Sequence, residues 1–386
     1  MIDWYMVSAV VFILILFVFF YKDRKNVKRE SILLLRRTKH GKKLLIRLGN
    51  RFPRFWKILG YAAVGVGFVA SIYFLYAIGE NLFKLITGEI KVGAGLVIPS
   101  LTQDVAVGPG YFAIPFWYWI ISIALLFIVH EGMHGIMAVR EKIRIKTLGW
   151  GLLIVFLLAF VEPDEKQVAR KKPMQQLRFF AAGSFGNFLL AGFSVLIITL
   201  ITFTMFTQAG VAYSGLIEGY PAADVNLTGV ITRVDNYIIR NTDDFAAALD
   251  EIGPGQTVTI YTMVKTDNGF ENKTFVLKTA RRPNATSESG FIGITGVGNY
   301  MALRAEFIPY SGIVSFIHEL FFFIFLLNMA IAMVNLLPLK PFDGGRMWEL
   351  VFKKFVPRYS RQLVWGFGLF TLVLLVGNFV IPFLIW

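Results

Sequence analysis

Six windows of apolar sequence recur along the chain, near residues 4–21, 58–79, 113–138, 180–206, 308–337 and 362–385. Each is close to the ~20 residues that cover about 30 Å of hydrocarbon at about 1.5 Å per helical residue. Inside lipid a single segment satisfies its own backbone only as a helix. With 56% hydrophobic and 17% charged residues, the composition lies outside that of ordinary soluble domains. The expected fold is an α-helical polytopic membrane protein with about six transmembrane helices, resident in the cell membrane. The first window occupies the position of a signal peptide, but it lacks a basic start and a small-residue cleavage site and reads as a retained anchor.

Charge sets the expected orientation. Residues 22–57 hold 14 Lys or Arg against Asp23 and Glu30, and basic flanks of membrane helices stay in the cytoplasm. Segments 139–178 and 353–361 are also basic, whereas 207–304 has 8 basic and 10 acidic residues. With six spans the three basic segments fall on the cytoplasmic side and 207–304 falls outside. The net charge of +14 is thereby read as topology signal and attraction to an anionic bilayer, with no nucleic-acid partner. The absence of cysteine excludes disulfides, thiolate metal sites and thiol nucleophiles.

Between the third and fourth windows, "LGWGLLIVFLLAFV" (148–161) is apolar but too short to cross. It reads either as a membrane-dipping hairpin sheltered by protein or as a short surface-lying helix. Residues 89–115 form a Gly- and Pro-punctuated outer loop with short strands. From about 207 the sequence turns to that of a soluble α+β domain, with strand-like "GVITRV", "TVTIYTMV" and "KTFVLKT" and a helix "TDDFAAALDEI" with Thr242 as its expected N-cap. The order of "SGLIEGYPAADVNL", "GVITRVDNYII", that helix and "GPGQTVTIYTMV" resembles a PDZ domain, although Thr228-Gly229 stands where a Gly-Asp pair is usual. That resemblance implies an inserted extracytoplasmic PDZ-like domain that either takes peptide C-termini as partners or acts as a size filter for trimmed substrates. N-x-T triplets at Asn226, Asn272 and Asn284 suit an outside location. The expected divisions are 1–80, 81–112, 113–206, 207–304, 305–360 and 361–386.

The chemistry begins at "IVHEGMHGI" (128–136). On a helix, positions four apart share a face, so His130 and His134 can offer two nitrogens to one ion while Glu131 sits beside it. That is the H-E-x-x-H arrangement of zinc hydrolases, with the Glu as general base. Ionisable groups at the end of a membrane span are costly unless used. A catalytic zinc needs a third protein ligand. His318 and Glu319 lie early in the fifth window, His40 reads as surface, and Glu162, Asp164 and Glu165 follow the short apolar segment toward water. Asp343, in "NLLPLKPFDGG" (335–345), remains. Pro338 and Pro341 break the helix and Gly344 and Gly345 allow a tight turn, and the third and fifth spans end at the same depth.

These residues resemble the site-2 proteases, intramembrane zinc metalloproteases whose signature pairs H-E-x-x-H with N-x-x-P-x-x-x-x-D-G. Asn335, Pro338, Asp343 and Gly344 match the second motif, and Gly183 and Asn187 match a Gly–Asn element in the intervening span, with Ser184 where many members carry Pro. The resemblance implies zinc held by His130, His134 and Asp343, water activated by Glu131, and Asn187 and Asn335 as polar residues near the scissile bond. It also implies a single-span membrane protein as substrate, cut after prior trimming to release a regulatory fragment. Rival readings are a zinc protease with a soluble catalytic domain, a non-catalytic scaffold or chaperone that captures peptides, and an ion-coupled transporter.

Overall fold

The computed structural model describes residues 3–30, 33–91, 93–108, 110–153, 156–266, 269–283 and 289–385. Asn284, singled out by sequence, and Ile154 and Val155 of the short apolar segment lie outside these. The chain divides into two compact units, residues 1–198 with 317–386, and residues 199–316. Among the described residues six helices are long and apolar enough to span a membrane: Trp4–Lys22, Pro53–Ile86, Phe116–Arg140, Pro173–Met205, Ala305–Asn335 and Pro357–Leu384.

The first unit starts with α1 (Trp4–Lys22), whose first turn is capped by Asp3: the carboxylate accepts from the N–H groups of Tyr5 and Met6. The basic stretch that follows is more than a linker. It folds into a hairpin, β1 (Val27–Glu30) and β2 (Leu33–Thr38), then an amphipathic helix α2 (Lys42–Arg51). Helix α3 (Pro53–Ile86) is about 51 Å long at 1.5 Å per residue. The outer loop supplies β3 (Leu96–Ser100), β4 (Ala106–Gly108) and β5 (Tyr111–Pro115), in the order β3-β5-β4. Then come α4 (Phe116–Arg140), β6 (Ile145–Leu153), β7 (Phe156–Pro163), a short α5 (Glu165–Ala169) and α6 (Pro173–Met205).

The apolar segment too short to cross is therefore a hairpin, with Leu148 opposite Val161 and Leu152 opposite Leu157. Sequence did not foresee that β2 pairs with β6 across its whole length, giving a four-stranded sheet in the order β1-β2-β6-β7. Trp150 fixes this sheet to α1 by ring contacts with Phe19 and Phe20. Strand β7 is the edge of this sheet, with no further strand beside it among the described residues, and it packs against α4. Helix α2 lies on α4 with Leu45 packed at Gly135 and Val139 at Gly49, where any Cβ would collide.

The second unit holds β8 (Phe206–Ala212), β9 (Gly215–Leu216), α7 (Pro221–Asp224), β10 (Val230–Val234), β11 (Tyr237–Ile238), α8 (Thr242–Glu251), β12 (Thr257–Thr266), β13 (Gly269–Lys278), β14 (Ile294–Thr295) and β15 (Gly298–Leu303). Its main sheet runs β13-β12-β10-β8-β15, with β11 on β10 and β14 paired to β9. Alternate residues of β12, Val258 and Ile260 among them, turn inward onto Val211, Ile231, Phe245 and Leu277. The N-cap expected at Thr242 belongs instead to Asn241, whose Oδ1 accepts from Asp244 N at 2.8 Å. Thr242 is the first helical residue, because the backbone is still extended at Asn241 and its side-chain oxygen there reaches the free N–H of Asp244.

After a 3-10 turn (Ala305–Tyr310), α9 (Ser311–Asn335) leads to a loop, then α10 (Asp343–Phe355), a second 3-10 turn (Pro357–Tyr359) and α11 (Ser360–Ile385). The core around the functional residues is built from Ala63 and Val64 of α3, Met137 and Ala138 of α4, Phe179 to Ala182 of α6, Leu336, and Met347 of α10. Asn378 of α11 ties to α3 by donating to Ile78 O at 2.7 Å and accepting from Asn81 at 2.7 Å. Polar links of this kind join helices where apolar contact gives no advantage over lipid.

Candidate metal centre

His130 and His134 project from adjacent turns of α4, both buried. Asp343 is the first residue of α10, and the loop before it folds tightly onto the helix start, so that a Cβ on Gly344 would overlap the Leu336 carbonyl. This close approach turns the carboxylate onto the imidazoles. The Nε2 atoms of the two histidines are 3.2 Å apart, and Asp343 Oδ2 lies 3.1 Å from His134 Nε2 and 3.5 Å from His130 Nε2. A tetrahedral ion with ligand bonds near 2.0–2.1 Å requires donor–donor edges of about 3.3 Å. All three edges match it.

The surroundings fit the same ion. His134 Nδ1 is 2.9 Å from the Phe179 carbonyl, which can only accept, so the proton sits on Nδ1 and Nε2 is free to ligate. His130 Nδ1 is 3.2 Å from the Asn187 amide, which is fully buried and whose other terminal atom has no partner among the described residues. With the amide turned so that its oxygen accepts from Nδ1–H, His130 Nε2 is also free. Gly183 leaves the space: a Cβ there would lie 2.7 Å from His130 Nε2 and closer still to His134 Nε2. The residues present thus suit a small cation bound by two neutral imidazoles and a carboxylate.

Residues 118–375 match peptidase family M50. The chain belongs to that family. M50 members are zinc metalloproteases of the site-2 protease type, and among the described residues the His-His-Asp cluster is a group that could hold the metal. The chain is also 24% identical over 342 residues to an uncharacterised protein of Methanocaldococcus jannaschii, covering 87% of this chain and 83% of that one. Membership and the six apolar helices together make this a multi-pass membrane protein.

Glu131, one step round α4 from the His face, does not join the three donors. Its Oε2 accepts from Val161 N at 2.8 Å, so the edge strand β7 runs past it. Asn335 closes α9, half-buried, and its amide has no hydrogen bond among the described residues. His40 bonds Thr38, and Glu162 accepts from Thr147 at 2.8 Å, both away from the metal cluster.

Sequence reasoning missed three participants. Two are backbone groups, the Phe179 carbonyl and the Val161 N–H, and no side-chain pattern announces them. The third is an ion pair. Arg178, one residue before Phe179, donates to Glu141 through Nε and a terminal nitrogen, both at 2.8 Å, while Gln175 donates to the same carboxylate at 2.9 Å. Burial alone would raise the Glu141 pKa, but these bonds and the guanidinium charge hold it below the ordinary value. A lone Arg in the apolar run "LRFFAAG" (177–183) was the available signal, since such a charge must find a partner.

Proposed function

We propose that this chain is an intramembrane zinc endopeptidase that cuts the membrane-spanning segment of a single-span protein and releases a regulatory fragment. His130, His134 and Asp343 hold the metal. When bound, zinc supplies Lewis-acid activation of water and of a peptide carbonyl. Glu131 takes the proton from the attacking water and returns it to the leaving nitrogen. Asn187 acts through His130 by fixing the ring, and Asn335, with its amide uncommitted, is the donor offered to the substrate backbone.

A helical substrate hides its peptide bonds in its own hydrogen bonds. The free edge of β7 answers this by accepting the unwound segment as an added strand. Val161 N–H points away from β6 to Glu131, and alternation turns the N–H of Ala159 the same way. Glu131 therefore sits where the added strand would lie. The active site faces the cytoplasmic side and the α+β unit faces outward, following the basic and acidic segments. That unit acts as a PDZ-like selector of trimmed substrates. Its cavity of about 360 Å³, lined by Phe245, Leu249, Phe291 and Arg282, suits an apolar C-terminal side chain with a carboxylate nearby.

The convergence of three donors from α4 and α10 at tetrahedral spacing, with Glu131 beside a free strand edge, carries this reading. The test is to purify the protein, count zinc per chain, and compare the wild type with Glu131→Gln on a model single-span substrate. The expected result is one zinc in both and cleavage lower by about 10²–10⁴-fold in the variant. A metal-free wild type, or a variant that cuts as well as the wild type, overturns it and favours a peptide-capturing scaffold.

A further inference from the structure

Where α10 turns into α11, two cavities share Lys340, Val364 and Trp365 and form one recess. One part, about 310 Å³, is bordered by the charged side chains Lys340, Glu349, Lys353 and Arg361 and by Ser360. The other, about 240 Å³, is apolar and runs along Leu339, Val364, Trp365, Gly368, Leu369 and Leu372. Three cations meet one carboxylate there. Glu349 binds Lys340 at 2.6 Å and Lys353 at 2.9 Å, and Arg361 has no acidic partner among the described residues. The charged part therefore carries excess positive charge.

The apolar part is carried by a span. Residues 364, 365, 368, 369 and 372 follow helical spacing down one face of α11, and Trp365 is largely exposed at the junction with the charged part. An indole at such a boundary sits at headgroup level in a bilayer. A cationic chamber opening onto an apolar groove in a membrane helix is complementary to one molecule with an anionic head and a hydrocarbon tail. A soluble phosphate would use the chamber and leave the groove empty.

We propose that this recess binds one anionic phospholipid, its phosphate held by Lys353 and Arg361 and one acyl chain lying against Trp365, Gly368 and Leu372. The proposal rests on the membrane-spanning character of α11 and not on the proteolytic reading. Neither Lys353, Arg361 nor Trp365 belongs to the metal centre.

The test uses full-length Glu131→Gln protein, so that lipid binding is read without cleavage. It is reconstituted in phosphatidylcholine vesicles containing brominated phosphatidylglycerol or brominated phosphatidylcholine. The signal of Trp365 is the fluorescence difference from the Trp365→Phe variant. Brominated phosphatidylglycerol is expected to quench it at several-fold lower mole fraction than brominated phosphatidylcholine. Each basic side chain near the surface contributes roughly fivefold, so losing both in Lys353→Gln with Arg361→Gln removes up to roughly 25-fold, enough to abolish that preference. Equal quenching by the two lipids, or a preference unchanged in the double variant, overturns the proposal. Loss of the preference on adding millimolar inorganic phosphate, at constant ionic strength, assigns the site to a free anion and overturns it too.

Discussion

Replacing Gly183 by alanine tests the metal centre through one methyl group. The added carbon would stand 2.7 Å from His130 Nε2 and nearer to His134 Nε2, whereas ordinary contact begins at about 3.5 Å. At least one imidazole must therefore retreat by about 0.8 Å or more. Metal ligands tolerate about 0.2 Å, and a misplacement of about 1 Å at a reacting centre costs roughly 100-fold in rate. Zinc per chain, measured by mass spectrometry after dialysis against a weak chelator, should fall well below one. Cleavage of a model substrate should drop by at least 100-fold. Gly192→Ala on the same helix is the control, because a Cβ there meets nothing within 4 Å, and relief of glycine's backbone entropy should stabilise it by about 0.5–1 kcal/mol. A Gly183→Ala protein with full zinc and full cleavage would show that the space beside Gly183 is not where the ion sits.

Ala159→Pro removes one N–H from the free edge of β7 while leaving the β6 pairing; cleavage should fall at least tenfold with zinc unchanged, and undiminished cleavage would exclude strand addition at that edge. For Glu141 the folded-state pKa is depressed, so its pairing with Arg178 stabilises the protein above the unfolded value near 4.3 and is lost as pH falls below it. Thermal unfolding across pH 3 to 7 should show this loss in the wild type and a flatter profile in Glu141→Gln. Arg178→Ala should destabilise by about 3–5 kcal/mol, as it leaves a buried carboxylate without its countercharge and with only the neutral Gln175 amide, and a chemical-denaturation midpoint reads it. Deleting 210–300 should widen the range of substrates cut and keep one zinc per chain; loss of zinc would assign that unit a structural role instead.

The three candidate donors that the structure brings together were legible because each belongs to a motif whose spacing is local: four residues on a helix for His130 and His134, and a Pro/Gly-broken loop for Asp343. The six spans were legible for the same reason, since hydrocarbon thickness imposes a length that one segment shows by itself. What could not be read was pairing between distant segments. "LLLRRT" (33–38) looks like part of a basic linker until "LGWGLL" (148–153) lies beside it, and neither stretch names the other. Asn187 was legible as a polar residue in an apolar helix, but the partner that gives it a task, the His130 ring, was not. The N-cap moved from Thr242 to Asn241 because both residue types cap well and only the backbone conformation decides between them.

The unpaired margin of β7 has one further consequence. A strand edge offers main-chain groups, and every protein displays the same main chain, so such a surface is indifferent to which side chains pass along it. Under the proposed strand addition, discrimination is imposed upstream of the cut, by how readily a candidate helix frays and by what the rest of the molecule allows to approach. Substitutions that change the fraying of a target should consequently alter its turnover more than those that merely change its residue identities near the bond.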